Sequence, residues 1–108
     1  MNWRIKKMNL KITEKSRKGD FAELYAITWL WDNGYEVFKN VGCTGIVDLI
    51  AMKNGETKLI DVKTETTDNK RGLKRNKSCR SKEQIEKGVQ LVMFNPDYRS
   101  LRFVAHKQ

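Results

Sequence analysis

The chain has 108 residues, of which 39% are hydrophobic and 32% charged, so we expect one globular domain with a modest core over residues 1–108. Its 22 lysines and arginines against 13 aspartates and glutamates give a net charge of +9, which favours nucleic acid as a partner. The absence of an apolar run of about 18 residues argues against a membrane protein, and one histidine with two cysteines argues against zinc fingers and for a reduced, cytoplasmic setting.

The first elements of the chain are a basic arm and a helix. The arm covers residues 1–18 and has no apolar core that would suit a secretory signal. Residues 19–34 have apolar side chains at helical spacing and end at Asn33-Gly34, a typical helix stop. A short strand is predicted over residues 35–41.

The next element is a β-hairpin over residues 46–64. Two apolar runs flank Asn54-Gly55, the strongest short-range signal for a two-residue type I′ turn. Pairing outward from this turn places Asp48 opposite Asp61, with Cβ atoms about 4.5–5.5 Å apart.

Two facing carboxylates are costly in a sheet. At roughly 5 Å and an effective dielectric constant of about 20, their repulsion is of the order of 3 kcal/mol. A divalent cation such as Mg²⁺ between Asp48 and Asp61 would remove that cost. Lys63 lies on the same face as Asp61 because strand side chains alternate, and a cation beside two carboxylates suits a metal-and-phosphate site. The alternative is an ordinary Asp–Lys salt bridge on an open sheet face.

The second half of the chain contains a basic loop, a helix and two strands. The loop, predicted to be flexible over residues 66–81, either keeps the protein soluble or neutralises phosphates. A short helix over 81–88 has Ser81 as a plausible N-cap and Gln84 at the capping-box position. Two strands follow this helix. The fold class is therefore α/β, a mixed central β-sheet flanked by helices in the order α-β-β-β-α-β-β.

Three positions in the hairpin resemble the signature of the PD-(D/E)XK nuclease superfamily: Asp48, then after an interval Asp61 and Lys63. The segment KGDFAE resembles the opening helix of archaeal-type Holliday-junction resolvases and of small phage and homing endonucleases, with Glu23 as the glutamate that completes the metal site. Gln84 matches a glutamine that commonly faces the site from the second helix of this family.

Two positions depart from the pattern of this superfamily. Val47 stands where the superfamily name has proline, at a position that varies widely. Asp61 stands where resolvases usually have glutamate, and its shorter side chain leaves the subfamily open.

The resemblance implies a restriction-endonuclease-like core and metal-assisted hydrolysis of DNA phosphodiesters, with Mg²⁺ as cofactor and Mn²⁺ able to substitute. The implied metal ligands are Asp48, Asp61, the Val62 carbonyl and Glu23. Lys63 would position the attacking water, and Gln84 would orient Lys63 or contact the scissile phosphate. From the residues alone, Glu23 could equally be an exposed helix residue and Gln84 a capping residue.

The resemblance also implies DNA as partner and a homodimer, because one site cuts one strand. The expected DNA-binding residues are Lys15, Arg17, Lys18, Lys70, Arg71, Lys74, Arg75, Lys77, Arg80 and Lys82. Three hypotheses follow: a nuclease selective for branched DNA such as a Holliday junction, a homing or restriction-like nuclease acting on linear duplex, and a non-catalytic nucleic-acid-binding module. A phage origin is compatible with so compact a nuclease.

Overall fold

The chain forms two helices and seven strands in the part that the structure, a computed structural model, describes. This part comprises residues 14–42, 44–68, 73–75 and 80–105, with side chains over 17–42, 44–65 and 80–105. The elements in chain order are α1 (Glu14–Asp32), β1 (Glu36–Lys39), β2 (Leu49–Lys53), β3 (Glu56–Thr64), β4 (Thr66–Asp68), β5 (Leu73–Arg75), α2 (Lys82–Lys87), β6 (Val89–Asn95) and β7 (Ser100–Phe103).

Five of the strands form one mixed sheet in the spatial order β1-β2-β3-β6-β7. The central β3 and β6 run parallel, connected through α2, and the other neighbouring strands run antiparallel. The prediction of an α/β fold with a mixed central sheet is confirmed, and so is the order of the seven predicted elements. The paired strands β4 and β5 are an addition that the sequence pattern did not predict.

The register of the β2–β3 hairpin follows from its turn. Asn54 and Gly55 have φ angles of 52° and 78°, as a type I′ turn requires, and Lys53 pairs with Glu56 as predicted. The ladder ends at the pair Leu49–Ile60, one residue before the predicted Asp48–Asp61 pair.

Asp48 leaves the ladder in the manner of a β-bulge. Its amide donates to the carbonyl of Ile60 over 2.8 Å, although Ile60 is already the partner of Leu49. The predicted strand-to-strand pairing of Asp48 with Asp61 is therefore wrong in detail, because the backbone turns aside at Asp48.

Helix α1 covers one face of the sheet. Ala26 and Leu30 form a buried cluster with Ile60 of β3 and apolar residues of β2 and β6. Because side chains alternate along a strand, Asp61 and Lys63 lie on the opposite face. The hydrophobic core therefore fixes which face of β3 carries the polar residues.

Helix α2 lies on the side of the sheet away from α1 and is short. Ser81 and Gln84 form a capping box at its start, and Gly88 ends it in the left-handed conformation, with φ 75°. A capping box suits so short a helix because it supplies partners for the first free amides. Both predicted ends of this helix are thereby confirmed.

Two predicted segments differ from the structure. Residues 14–18 of the basic arm belong to α1, while 1–13 lie outside the described residues. The basic loop over 66–81 contains β4 and β5, and its remaining residues up to 79 lie outside the described part. Within the part of the chain described here, neither helix is long and apolar enough to cross a membrane.

Candidate active site

The centre of the site is Asp48, at the point where β2 separates from β3. Its carboxylate oxygen Oδ2 accepts a hydrogen bond of 2.8 Å from the Val62 amide. The N–H and C=O of one strand residue point to the same side, so the Val62 carbonyl also points towards the side that Asp48 occupies. At the bulge, the Val62 amide of β3 therefore bonds to the Asp48 side chain and not to a backbone carbonyl of the neighbouring strand.

The pKa of Asp48 is raised to about 6. Burial is the largest cause, followed by the side-chain hydrogen bond with Asp61 and by the negative charges of Asp61 and Glu23. The hydrogen bond from Val62 acts in the opposite direction but is outweighed. Three carboxylates therefore influence one another at this site, and perturbed pKa values of this kind are enriched at functional sites.

Asp61 is the most enclosed of these acids, with only 7% of the residue exposed. Its Oδ2 lies 3.2 Å from the Lys63 ammonium and accepts a hydrogen bond of 2.9 Å from the Gln84 amide. Lys63 remains partly open to solvent, with 41% of its side chain exposed. The structure brings these three predicted site residues together on one face of the sheet.

Gln84 contacts both its own helix and the candidate site; the capping interpretation is confirmed, and the site role stays a prediction. Its oxygen accepts from the Ser81 amide over 3.0 Å and completes the capping box. Its nitrogen donates to Asp61 and, over 3.0 Å, to the carbonyl of Ile46. One buried side chain therefore joins α2, β3 and the loop before Asp48.

Glu23 reaches the site from α1 on the opposite face of the sheet. Its charge contributes to the raised pKa of Asp48, and its side chain is only 20% exposed. The carboxylate is bound to the Lys39 ammonium at 2.6 Å. Glu23 is thus not an exposed helix residue, but its direct partner is a lysine that the sequence analysis did not identify.

Asn40 is a second residue that the sequence analysis missed. Its amide nitrogen donates to the carbonyls of Thr44 and Val47, at 2.7 and 2.9 Å, and its own backbone N–H donates to the Asp48 carbonyl at 2.9 Å. Asn40 therefore holds the loop that carries Asp48. The only available signal was the turn-forming chemistry of an asparagine directly after a strand.

The acidic residues suit an ion that takes few protein ligands. In the described part of the chain, no three His, Cys, Asp or Glu side chains form a group that could hold a metal. Asp48, Asp61 and the Val62 carbonyl form a smaller oxygen set, and Mg²⁺ commonly binds through one or two carboxylates together with water and substrate phosphate. The donors present fit Mg²⁺ in this manner.

The predicted DNA-binding residues are only partly described. Arg17, Lys18 and Lys82 are exposed, whereas Arg80 is partly buried and donates to the Val89 carbonyl over 3.0 Å. The side chains of Lys15, Lys74 and Arg75, and the whole of Lys70, Arg71 and Lys77, lie outside what is described. A DNA-binding role for these cations stays a prediction.

The comparison with solved structures supports the fold. A bacterial homing endonuclease, I-Ssp6803I, superposes with a TM-score of 0.69 over 82% of this chain and 67% of the other, at 21% sequence identity. At this identity the likeness is one of fold. No protein-family profile and no curated protein sequence matches the chain.

Proposed function

We propose that this protein is a divalent-cation-dependent DNA endonuclease of the PD-(D/E)XK type. The observation that carries the proposal is the grouping of Asp48, which accepts a hydrogen bond from the Val62 amide over 2.8 Å, with the buried Asp61 of the same strand as Val62, whose carboxylate lies 3.2 Å from the Lys63 ammonium. Burial and Asp61 raise the pKa of Asp48 to about 6, so keeping both groups ionised is unfavourable, and a bound cation would favour the ionised forms.

Each residue of the site has a part in phosphodiester hydrolysis. Asp48, Asp61 and the Val62 carbonyl would hold Mg²⁺, which supplies Lewis acidity towards the scissile phosphate when bound. Lys63 orients the attacking water and neutralises negative charge that develops on the phosphate oxygens. Gln84 fixes the Asp61 carboxylate through its 2.9 Å hydrogen bond and so keeps Lys63 in place.

The overall charge of the chain supports nucleic acid as the substrate. A net charge of +9 on 108 residues attracts the phosphate backbone, whereas the acidic site itself is the exception in a basic protein. Our first hypothesis for the substrate is branched DNA such as a four-way junction, cut by a homodimer with one site for each strand.

Linear duplex is the second candidate substrate. It is favoured by one specific observation, namely that the fold is similar to that of a bacterial homing endonuclease. The two hypotheses require the same chemistry at Asp61 and Lys63 and differ only in the DNA that reaches them.

The decisive experiment compares the wild type with Asp61→Ala on labelled four-way junction and on matched linear duplex, in Mg²⁺ and in EDTA. Asp32→Ala is a matched control because Asp32 is an exposed aspartate at the end of α1. We expect Mg²⁺-dependent cleavage by the wild type and by the control, and none by Asp61→Ala.

The substrate follows from the same experiment. Symmetric nicking of the junction alone supports a resolvase-like nuclease, and equal or better cleavage of the duplex supports a homing or restriction-like nuclease. Binding of DNA without cleavage by the wild type would contradict the proposal and leave a non-catalytic nucleic-acid-binding module.

A further inference from the structure

Lys39 and Glu23 form the shortest ion pair of the site, on the side of Asp48 that faces α1. The ammonium of Lys39 lies 2.6 Å from Glu23 Oε1, with 45% and 20% of the two side chains exposed. Lys39 pairs with Leu49 in the sheet, directly beside Asp48. Lys39 and Asp48 both line a cleft of about 180 Å³, so the two residues border the same recess.

One carboxylate–ammonium pair lies on each side of Asp48, one in β3 and one between α1 and β1. Asp61 is in contact with Lys63 at 3.2 Å, and Glu23 is in contact with Lys39 at 2.6 Å. Three carboxylates and two ammonium groups leave one net negative charge. Neither of these two ion pairs includes Asp48, so a further cation beside Asp48 would balance the charge of the site.

We propose that Lys39 is the second cation of the site: its ammonium holds Glu23 where a second divalent ion would otherwise bind, so each chain binds one divalent cation. This inference rests on the proposed function. It assigns Glu23 to an ion pair and not to a metal, in contrast to the role implied by the sequence resemblance.

The geometry supports this assignment in two ways. First, Glu23 does not join Asp48 and Asp61 in a three-residue metal-binding group within the described chain. Second, an ammonium is a compact point charge with three hydrogen-bond donors. It can neutralise the Glu23 carboxylate by itself, whereas a divalent ion at the same place would need further ligands such as Asp48. Lys39 is therefore a positioning residue that fixes Glu23 and sets the charge of the cleft.

The test counts Mn²⁺ bound to the DNA-free protein by electron paramagnetic resonance and measures its affinity by calorimetry. The proteins are the wild type, Lys39→Met, Lys39→Arg and the control Lys53→Met. Lys53 suits the control because its ammonium also reaches from a strand to the α1 side of the sheet, through a 2.6 Å bond to the carbonyl of Asn33 just after the helix, but at the opposite end of β2 from Asp48.

We expect one Mn²⁺ for each chain in the wild type, in Lys39→Arg and in Lys53→Met. Lys39→Met should bind a second ion and hold the first about tenfold more tightly, because a carboxylate is freed and a nearby positive charge is lost. Lys39→Arg keeps the charge and separates this effect from any loss of folding, which circular dichroism checks.

Other outcomes distinguish this inference from the proposed function. Two ions in the wild type, or one unchanged ion in Lys39→Met, would overturn the inference and leave the nuclease proposal intact. Binding of no Mn²⁺ by any of the four proteins would overturn the inference, whereas the proposed function fails only if Mg²⁺-dependent cleavage is absent as well, because the substrate phosphate supplies further ligands.

Discussion

Gln84 and Asp61 are joined by a hydrogen bond of 2.9 Å, although 23 residues separate them in the chain. The same glutamine caps its own helix with its side-chain oxygen. A residue that appears from local sequence to serve only α2 therefore also fixes a carboxylate in the centre of the sheet. The structure of a short helix and the geometry of the candidate site depend on one side chain.

Substitution of this glutamine separates the two roles. Gln84→Glu keeps an oxygen for the cap but replaces the donor towards Asp61 with a second carboxylate. We expect a loss of unfolding free energy of about 1–3 kcal/mol and a fall in cleavage rate of about 10–100-fold. Urea unfolding and the junction or duplex assay measure the two effects.

Ser81→Ala is the matched control for the cap. It removes the hydroxyl that accepts from the backbone N–H of Gln84 over 3.1 Å. The contact between the Gln84 side chain and Asp61 stays in place. It should cost about 1 kcal/mol of stability with little change in cleavage. Equal loss of cleavage in both variants would show that the capped helix, and not the bond to Asp61, matters for activity.

The raised pKa of Asp48 predicts how stability depends on pH. With a folded-state pKa of about 6 against the usual 3.8, the folded protein binds more protons than the unfolded chain between these values. Stability therefore falls as pH rises from about 4 to about 6, and the cost of the charged carboxylate is fully present above pH 6.

Asp48→Asn should remove this cost while keeping an oxygen for the Val62 amide. We expect the variant to be more stable than the wild type by about 1 kcal/mol above pH 6, with the difference vanishing towards pH 4. This is less than the full conversion of about 1.4 kcal/mol per pKa unit, because Asp48 is partly exposed. Thermal unfolding from pH 4 to 8, with Asp32→Asn as control, decides the matter, and a difference that is constant with pH would contradict it.

Lys63 should matter for cleavage more than for DNA binding. Lys63→Met removes the ammonium that lies 3.2 Å from Asp61, and we expect the single-turnover cleavage rate to fall by about 10²–10⁴-fold. Lys58→Met is the control on the same strand, where Lys58 contacts Glu56 and the ring of Phe103. If both variants lose the same activity, the effect is one of overall charge on DNA affinity, which a binding titration shows.

Arg99 has an unusual backbone conformation that a substitution can test. Its φ of 59° is unfavourable for a residue with a side chain, but its guanidinium donates to the Tyr25 hydroxyl over 2.7 Å and lies 4.9 Å from the Phe21 ring. Arg99→Ala and Arg99→Gly both lose these contacts, but only glycine is free of the backbone cost. The glycine variant should be the more stable of the two by about 1 kcal/mol in urea unfolding, and the opposite order would contradict this account.

The local geometry of the hairpin and of the second helix follows directly from the order of their residues. The turn at Asn54-Gly55 sets the pairing of its strands because both residues accept positive φ. This register alone predicts that Asp48 and Asp61 lie near each other. The capping box at Ser81 is likewise encoded within four residues. Strands β4 and β5 escaped prediction because their segment is rich in lysine and arginine and lacks the alternation that indicates a half-buried strand.

Which residues meet around Asp48 depends on how the two helices pack against the sheet. The contact between Glu23 and Lys39 requires α1 to lie across β1, and no local pattern specifies that placement. The bond from Gln84 to Asp61 requires α2 to settle on the opposite face. These placements follow from burial of the apolar surfaces of the sheet, a non-directional force that acts through the whole fold, whereas turns and caps follow from hydrogen bonds and dihedral angles within a few residues.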